Sequence, residues 1–173
     1  RSADPDALIT STSAGAPNVT LTRQLRSAGV NIPYGSYAID ETTAKNMGSN
    51  AEGVYLAASY VSSLDTPANE RFLEALKEKF GDEAETPNEL SVPQYDGIYA
   101  AAVEKAGSTE PSAVIEALSE VTIEGPRGSI KMDRQRHAAL TMYLGKVASD
   151  GSIEVVKTFE SVDPGEQCPQ FAD

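Results

Sequence analysis

The chain has 173 residues, with 26 acidic against 14 basic side chains and a formal net charge of −12. Nucleic acid and anionic membrane surfaces both require clustered cations, so this balance argues against either as a partner and favours high solubility. No apolar run has membrane-spanning length, no signal-peptide pattern is present, and the length suits one good core or two small lobes with thinner cores. The chain opens on Arg1 rather than Met, which reads as a processed, excised or partial chain.

The first third alternates strand and helix. Ala7 to Thr12 reads as a short strand, and the small-residue segment Thr10 to Asn18 as the loop that follows it. Pro17 or Asn18 opens a helix that runs to Ala28 and stops at Gly29. Pro33 to Ile39 is the next strand, Asp40 the N-cap of a short helix ending at Gly48, and Gly53 to Ala58 a third strand. This βαβαβ rhythm predicts a parallel sheet with right-handed crossovers.

The middle third is helical. Thr66 as N-cap and Pro67 at the first helical position open a helix with Phe72, Leu73, Leu76 and Phe80 on one face, closed by Gly81. A second helix is predicted over Val92 to Ala106 with Gly107 as its stop, and a third over Pro111 to Leu118, opened by Ser108 and Thr109. Each helix carries one apolar face that needs something to cover. The last third is β: a short strand at Gly128 to Met132, then Leu140 to Ala148 and Ser152 to Phe159 flanking a hairpin turn at Ser149-Asp150-Gly151. Asp163 to Asp173 reads as an irregular tail.

Chemistry-bearing motifs are sparse. The one histidine, His137, lies in a polar segment and reads as a solvated loop residue. No GxSxG elbow occurs, and one histidine with one remote cysteine does not make a metal site. Cys168 reads as a free surface thiol or as half of a pair with a cysteine outside this chain. The loop Thr10 to Asn18 has no lysine and no phosphate-loop spacing. It follows a strand and precedes a helix, so it is either an ordinary βα loop with a capping Asn or a ligand rim, where hydroxyls and helix N-terminal amides converge beyond the strand ends. Tyr37 and Ala38 end the second strand at the same rim, as wall residues or as sheet packing. Asn18-Val19-Thr20 is also a glycosylation sequon.

Ordered wording along the chain adds to this reading: Ala3-Asp4-Pro5-Asp6, Gly15-x-x-Asn18, Ala51-Glu52-Gly53, Leu64-Asp65-Thr66-Pro67, Ala102 to Gly107, and Gly125-Pro126-x-Gly128. The chain resembles the type I periplasmic solute-binding proteins, the Leu/Ile/Val-binding family and especially its amide/urea branch, from about Ser2 to Phe159. The resemblance implies an α/β, periplasmic-binding-protein-like type I fold, present as an incomplete two-lobe unit. In that frame residues 1–61 are the parallel βαβ part of lobe II, 62–127 the lobe I helices, 128–160 crossover strands and a hairpin returning to lobe II, and 161–173 a tail. The family's first half has no counterpart here, so the chain looks like a C-terminal half whose N-terminal half is missing.

The resemblance also implies a function: capture of a small polar solute, such as an amino acid, a short amide or urea, in an inter-lobe cleft and its delivery to an ABC permease in the membrane. No reaction and no cofactor are implied, and the location would be periplasmic, or extracellular with a lipid anchor in a Gram-positive source. An amide-sensing regulator of the same fold and a hydrolase are the alternatives. By resemblance Ser13 and Ala14 fall at a ligand-contact position, with Asn18 and Tyr37 beside them. Glu52 matches an acidic residue that accepts a ligand ammonium in amino-acid-binding members, or is structural where the ligand is uncharged. Tyr95 reads as core packing, and the Val92-Pro93-Gln94 before it departs from the urea-branch wording.

Overall fold

A computed structural model of the protein describes residues 4–81 and 92–166, with the backbone alone for Gln94 and Tyr95. In chain order its elements are β1 (Leu8–Thr10), α1 (Ala16–Ser27), β2 (Tyr34–Ser36), α2 (Glu41–Met47), β3 (Tyr55–Ala58), α3 (Pro67–Phe80), α4 (Val92–Asp96), α5 (Ile98–Ala106), α6 (Pro111–Leu118), β4 (Thr122–Gly125), β5 (Gly128–Lys131), β6 (Leu140–Val147) and β7 (Ile153–Val162). The chain divides into two compact units. Among the described residues the first holds 4–64 and 142–158, and the second 65–81, 92–141 and 159–166.

The first unit is built on a sheet of order β1-β2-β3-β6-β7. β1 and β2 pair in parallel, as do β2 and β3, whereas β6 runs antiparallel to β3 with Leu56 opposite Gly145. Period-two alternation puts Leu8, Tyr34, Leu56 and Ala58 on one face. That face packs with Val19 and Leu25 of α1 and with Ala44 and Met47 of α2. The opposite face carries Ile9, which is 81% exposed. Asp40 caps α2 as predicted, its Oδ1 accepting from the Thr43 amide at 2.7 Å. The predicted turn also forms: Ala148 N donates to Ser152 O at 2.9 Å, and Gly151 sits at φ 85° within it.

The second unit is helical with a two-stranded sheet, β4 antiparallel to β5. Thr66 Oγ1 caps α3 by accepting from Asn69 N at 3.2 Å. Ala102 of α5, Val114 and Ala117 of α6, and Val121 form its buried cluster, with Ile98 and Val103 packed against it.

Four expectations need correction. The helix predicted over Val92 to Ala106 is two helices, because Gly97 takes the left-handed conformation (φ 73°, ψ 23°), open to glycine without a Cβ clash. Ser108 and Thr109 do not cap α6: its N-cap is Glu110, whose amide donates to Ser108 Oγ at 3.0 Å. Strand β4 was not foreseen, since Thr-Ile-Glu-Gly offers one apolar residue to a pattern search. Of the apolar side chains predicted on the α3 face, Phe72 is buried but Phe80 is 62% exposed, with Lys79 Nζ 5.5 Å from its ring centre. Cys168 lies outside the described residues.

Candidate functional site

Because β1, β2 and β3 are parallel, the segments that follow them leave the sheet along one edge. These segments are 11–15, 37–39 and 59–63. Ser13 and Ala14 are exposed there, and Tyr37 is 53% exposed. Helix α1 begins at the same edge after Gly15, with no side-chain cap. In open parallel sheets this is the edge where small ligands bind.

Two buried side chains lie behind these segments. Asn18 is 0% exposed. Its Nδ2 donates to Ser13 O at 3.2 Å and to Ala38 O at 2.8 Å. Its Oδ1 accepts from Thr12 Oγ1 and, at 3.4 Å, from Ser36 Oγ. A carboxamide has two donors and two acceptor positions, so every hydrogen-bonding position of Asn18 is taken within the chain. Asn18, expected beside a solute, is thus placed beneath the rim with its carboxamide bonded to the chain itself. Thr22 Oγ1, also buried, donates to Tyr34 Oη at 3.4 Å, and Thr10 Oγ1 lies 3.4 Å from the same oxygen.

Glu41 is the second such side chain. It is 5% exposed at the first position of α2, and its Oε1 accepts from both Ser62 N and Ser62 Oγ at 2.8 Å. Tyr60 is buried nearby, and its phenol is pushed well above its ordinary pKa of 10.0, first by burial and then by the negative charge of Glu41. Sequence reasoning missed Glu41. An acid in the first turn of a helix is ordinary on dipole grounds, and nothing in the local sequence shows that its carboxylate turns inward to the segment after β3.

Glu52 is a correction of another kind. It precedes β3, so it lies at the edge where the parallel strands begin, opposite Ser13, Ala14 and Tyr37. The neighbouring backbone fixes this: Gly53 N donates to Val147 O at 2.9 Å, at the far end of β6. The carboxylate of Glu52 is exposed, and its main-chain carbonyl accepts from Arg26 Nη2 at 3.3 Å. The signal was available, since a residue before a parallel strand and one after it sit at opposite edges.

A hollow of about 290 Å³ in the first unit reaches the strand-end edge, lined by Ile9, Thr10, Ser11 and Tyr37. A larger one, about 620 Å³, lies at the strand-start edge between Arg26, Glu52, Tyr55 and Lys146. Size does not favour the larger hollow as the site. Its guanidinium is held by the carbonyls of Val30, Asn50 and Glu52 at 3.3–3.4 Å, and Lys146 Nζ lies 5.6 Å from the Tyr55 ring centre. In the second unit a hollow of about 310 Å³ adjoins an ion pair of Arg127 Nε with Asp96 Oδ2 at 2.8 Å. His137 is exposed there in a turn closed by its own amide donating to Asp133 Oδ1 at 3.0 Å. Among the described residues no group of three or more His, Cys, Asp or Glu is placed to hold a metal ion.

The first unit is thus a mostly parallel sheet with helices and the second is largely helical, an α/β architecture whose family the comparison with known proteins identifies. Residues 1–152 match the family described as periplasmic binding protein. The chain belongs to that family, with the type I architecture. The Leu/Ile/Val-binding protein homolog 6 of Brucella abortus (strain 2308) is 31% identical over an alignment of 153 positions that covers 82% of this chain and 38% of the relative. A solute-binding protein of an ABC transporter from R. palustris, solved in complex with 4-hydroxybenzoate, superposes with a TM-score of 0.82 at 26% identity, over 94% of this chain and 47% of that one. A limonene hydroxylase of Geobacillus stearothermophilus is 28% identical over 121 residues, 68% of this chain and 22% of that protein. The chain thus spans less than half the length of each.

Proposed function

We propose that this chain forms part of an extracytoplasmic solute-binding protein that captures a small polar molecule and hands it to an ABC permease. The first unit would contribute its strand-end edge to the solute site, in a periplasmic or extracellular setting. The observation that carries the reading is the strand-end edge of the first unit. Three loops converge there, with Ser13, Ala14 and Tyr37 exposed on them, in a chain of this family. Hydroxyls and one aromatic ring suit a small solute with polar ends and a flat or apolar body. Amino acids, short amides, urea and aromatic carboxylates all fit that class. Two relatives support its breadth: the Brucella protein by its name and the R. palustris protein by its bound 4-hydroxybenzoate. No catalysed step is proposed, because the rim brings together no nucleophile with a base.

The test is calorimetry on a form of the protein that contains residues 1–173 with the chain that flanks them. Leucine, acetamide, urea and 4-hydroxybenzoate are the probes. At least one should bind with a Kd on the order of micromolar or tighter. Tyr37→Ala should weaken that solute about tenfold or more, since a contacting aromatic supplies much of the buried area in such a site. A folded protein that binds none of the four, or a Tyr37→Ala variant that binds like wild type, would remove this edge as the site.

A further inference from the structure

We infer that Asn18 and Glu41 are positioning residues that join the three strand-end segments into one preset rim. This rests on the reading of that edge as the solute site. The segments after β1, β2 and β3 belong to different parts of the chain, and the first and third are rich in small polar residues. Left to themselves, such loops sample many backbone conformations, and a solute would have to order them as it bound. Asn18 removes that freedom between the first two segments. It grips the first through Thr12 Oγ1 and Ser13 O, and the second through Ala38 O, while Ser36 Oγ at the end of β2 donates to the same side chain. The gripped carbonyls adjoin the exposed residues, so fixing Ser13 O and Ala38 O fixes the directions in which Ala14 and Tyr37 leave the backbone.

Glu41 makes the next tie. It follows the second segment by way of the capping residue Asp40, and its carboxylate holds both the amide and the hydroxyl of Ser62 in the third. A carboxylate accepting from two donors is a stronger tie than a neutral pair, and at 5% exposure water competes poorly for it. Asn18 and Glu41 are therefore consecutive links in one belt beneath the rim. Neither is exposed enough to touch a solute, so both act through the residues they hold.

Amide hydrogen exchange on the 173-residue chain tests the ties. Asn18→Ala should speed exchange in 11–15 and 37–39 about tenfold or more, with the core amides of β3 unchanged. Glu41→Ala should do the same for 60–63, and Glu41→Gln, which keeps an acceptor oxygen, should restore most of the protection. Should the alanine variants fail to fold, Thr12→Val and Ser62→Ala each delete one hydroxyl at a half-buried position, with about a threefold rise expected in the segment affected. Unchanged rim exchange in these variants, or a rise shared equally by rim and core, overturns the proposal. In the longer form, Asn18→Ala should weaken the solute on the order of tenfold. A loosened rim with unaltered affinity also overturns it. A protein that binds none of the probes in wild-type form refutes the solute reading instead, and the exchange result then separates the two failures.

Discussion

The two units bury polar groups in different ways. In the first, Asn18, Thr22, Ser36, Glu41 and Thr43 are all buried. Two of these five, Asn18 and Glu41, hold the backbone of, or a residue in, a segment at the strand ends, so part of the polar interior serves loop geometry. In the second, Asn69 is buried as well, and the charged feature is a pair: Arg127, in the turn between β4 and β5, against Asp96 at the end of α4. Its side chains are 11% and 1% exposed. Hydrogen bonds to loops fail locally when deleted, whereas half of a buried ion pair leaves a charge with no compensation. Loosening in the first unit should therefore be graded, and in the second abrupt.

The sharpest way to break that contrast is Arg127→Ala. It strands a carboxylate whose Oδ1 already has no hydrogen-bond partner among the described residues. A loss of about 3–5 kcal/mol in denaturant unfolding is expected. A loss under about 1 kcal/mol would class the pair with solvated surface bridges. Gly125→Ala should act in the same direction, because an added Cβ would sit 2.0 Å from Asp96 Oδ1. Next in size is Leu56→Ala in the first unit, which opens a cavity beside Val54 and Val147 and should cost about 3 kcal/mol. If it cost much less, the sheet would not be the stabilising element of that unit.

The sequence made the first unit's frame legible because its signals are local. An apolar run, a small-residue loop and an Asp40 cap each announce themselves within a few residues. The signals that failed were those that depend on distant partners. Strand β4 exists because β5 lies opposite it, with Ile123 paired to Ile130. The break at Gly97 depends on a backbone angle that periodicity does not encode. For the site, Ser13, Ala14 and Tyr37 emerged at one edge together, as strand order alone suggests. The inward turn of Asn18 and Glu41 was hidden, because the atoms that satisfy them come from as many as 21 residues away. Glu52, singled out by its Ala-Glu-Gly wording, stands before β3 and so at the opposite edge from Ser13, Ala14 and Tyr37.

A smaller effect separates the units by pH. Tyr60, in the first, is neutral in the folded state well above the pH at which it would ionise when unfolded. Its folded pKa is raised, so its contribution is complete below the ordinary value of 10.0 and is lost as pH rises beyond it. The stability of the first unit should fall by about 1.4 kcal/mol per pH unit above 10 from this group alone. Tyr60→Phe should flatten that slope while leaving stability near neutral pH within about 1.5 kcal/mol. A wild-type slope that survives the substitution would assign the alkaline loss to other groups.

The smallest effect is the most informative about the site. Glu52 is exposed, and it stands at the edge where β3 begins rather than where the loops leave the sheet. Were it the partner of a ligand ammonium, Glu52→Gln in the longer form would weaken leucine about tenfold to a hundredfold by removing a charge-assisted hydrogen bond, and leave acetamide alone. Its position predicts otherwise: both solutes should bind within about twofold of wild type, and stability should shift by less than about 0.5 kcal/mol. Tyr37→Ala, measured beside it, supplies the contrast, since that residue lies on the rim itself. A large leucine-specific loss from Glu52→Gln would place the solute at the strand-start hollow, between Arg26, Tyr55 and Lys146, and the two edges of the sheet would have to exchange their roles.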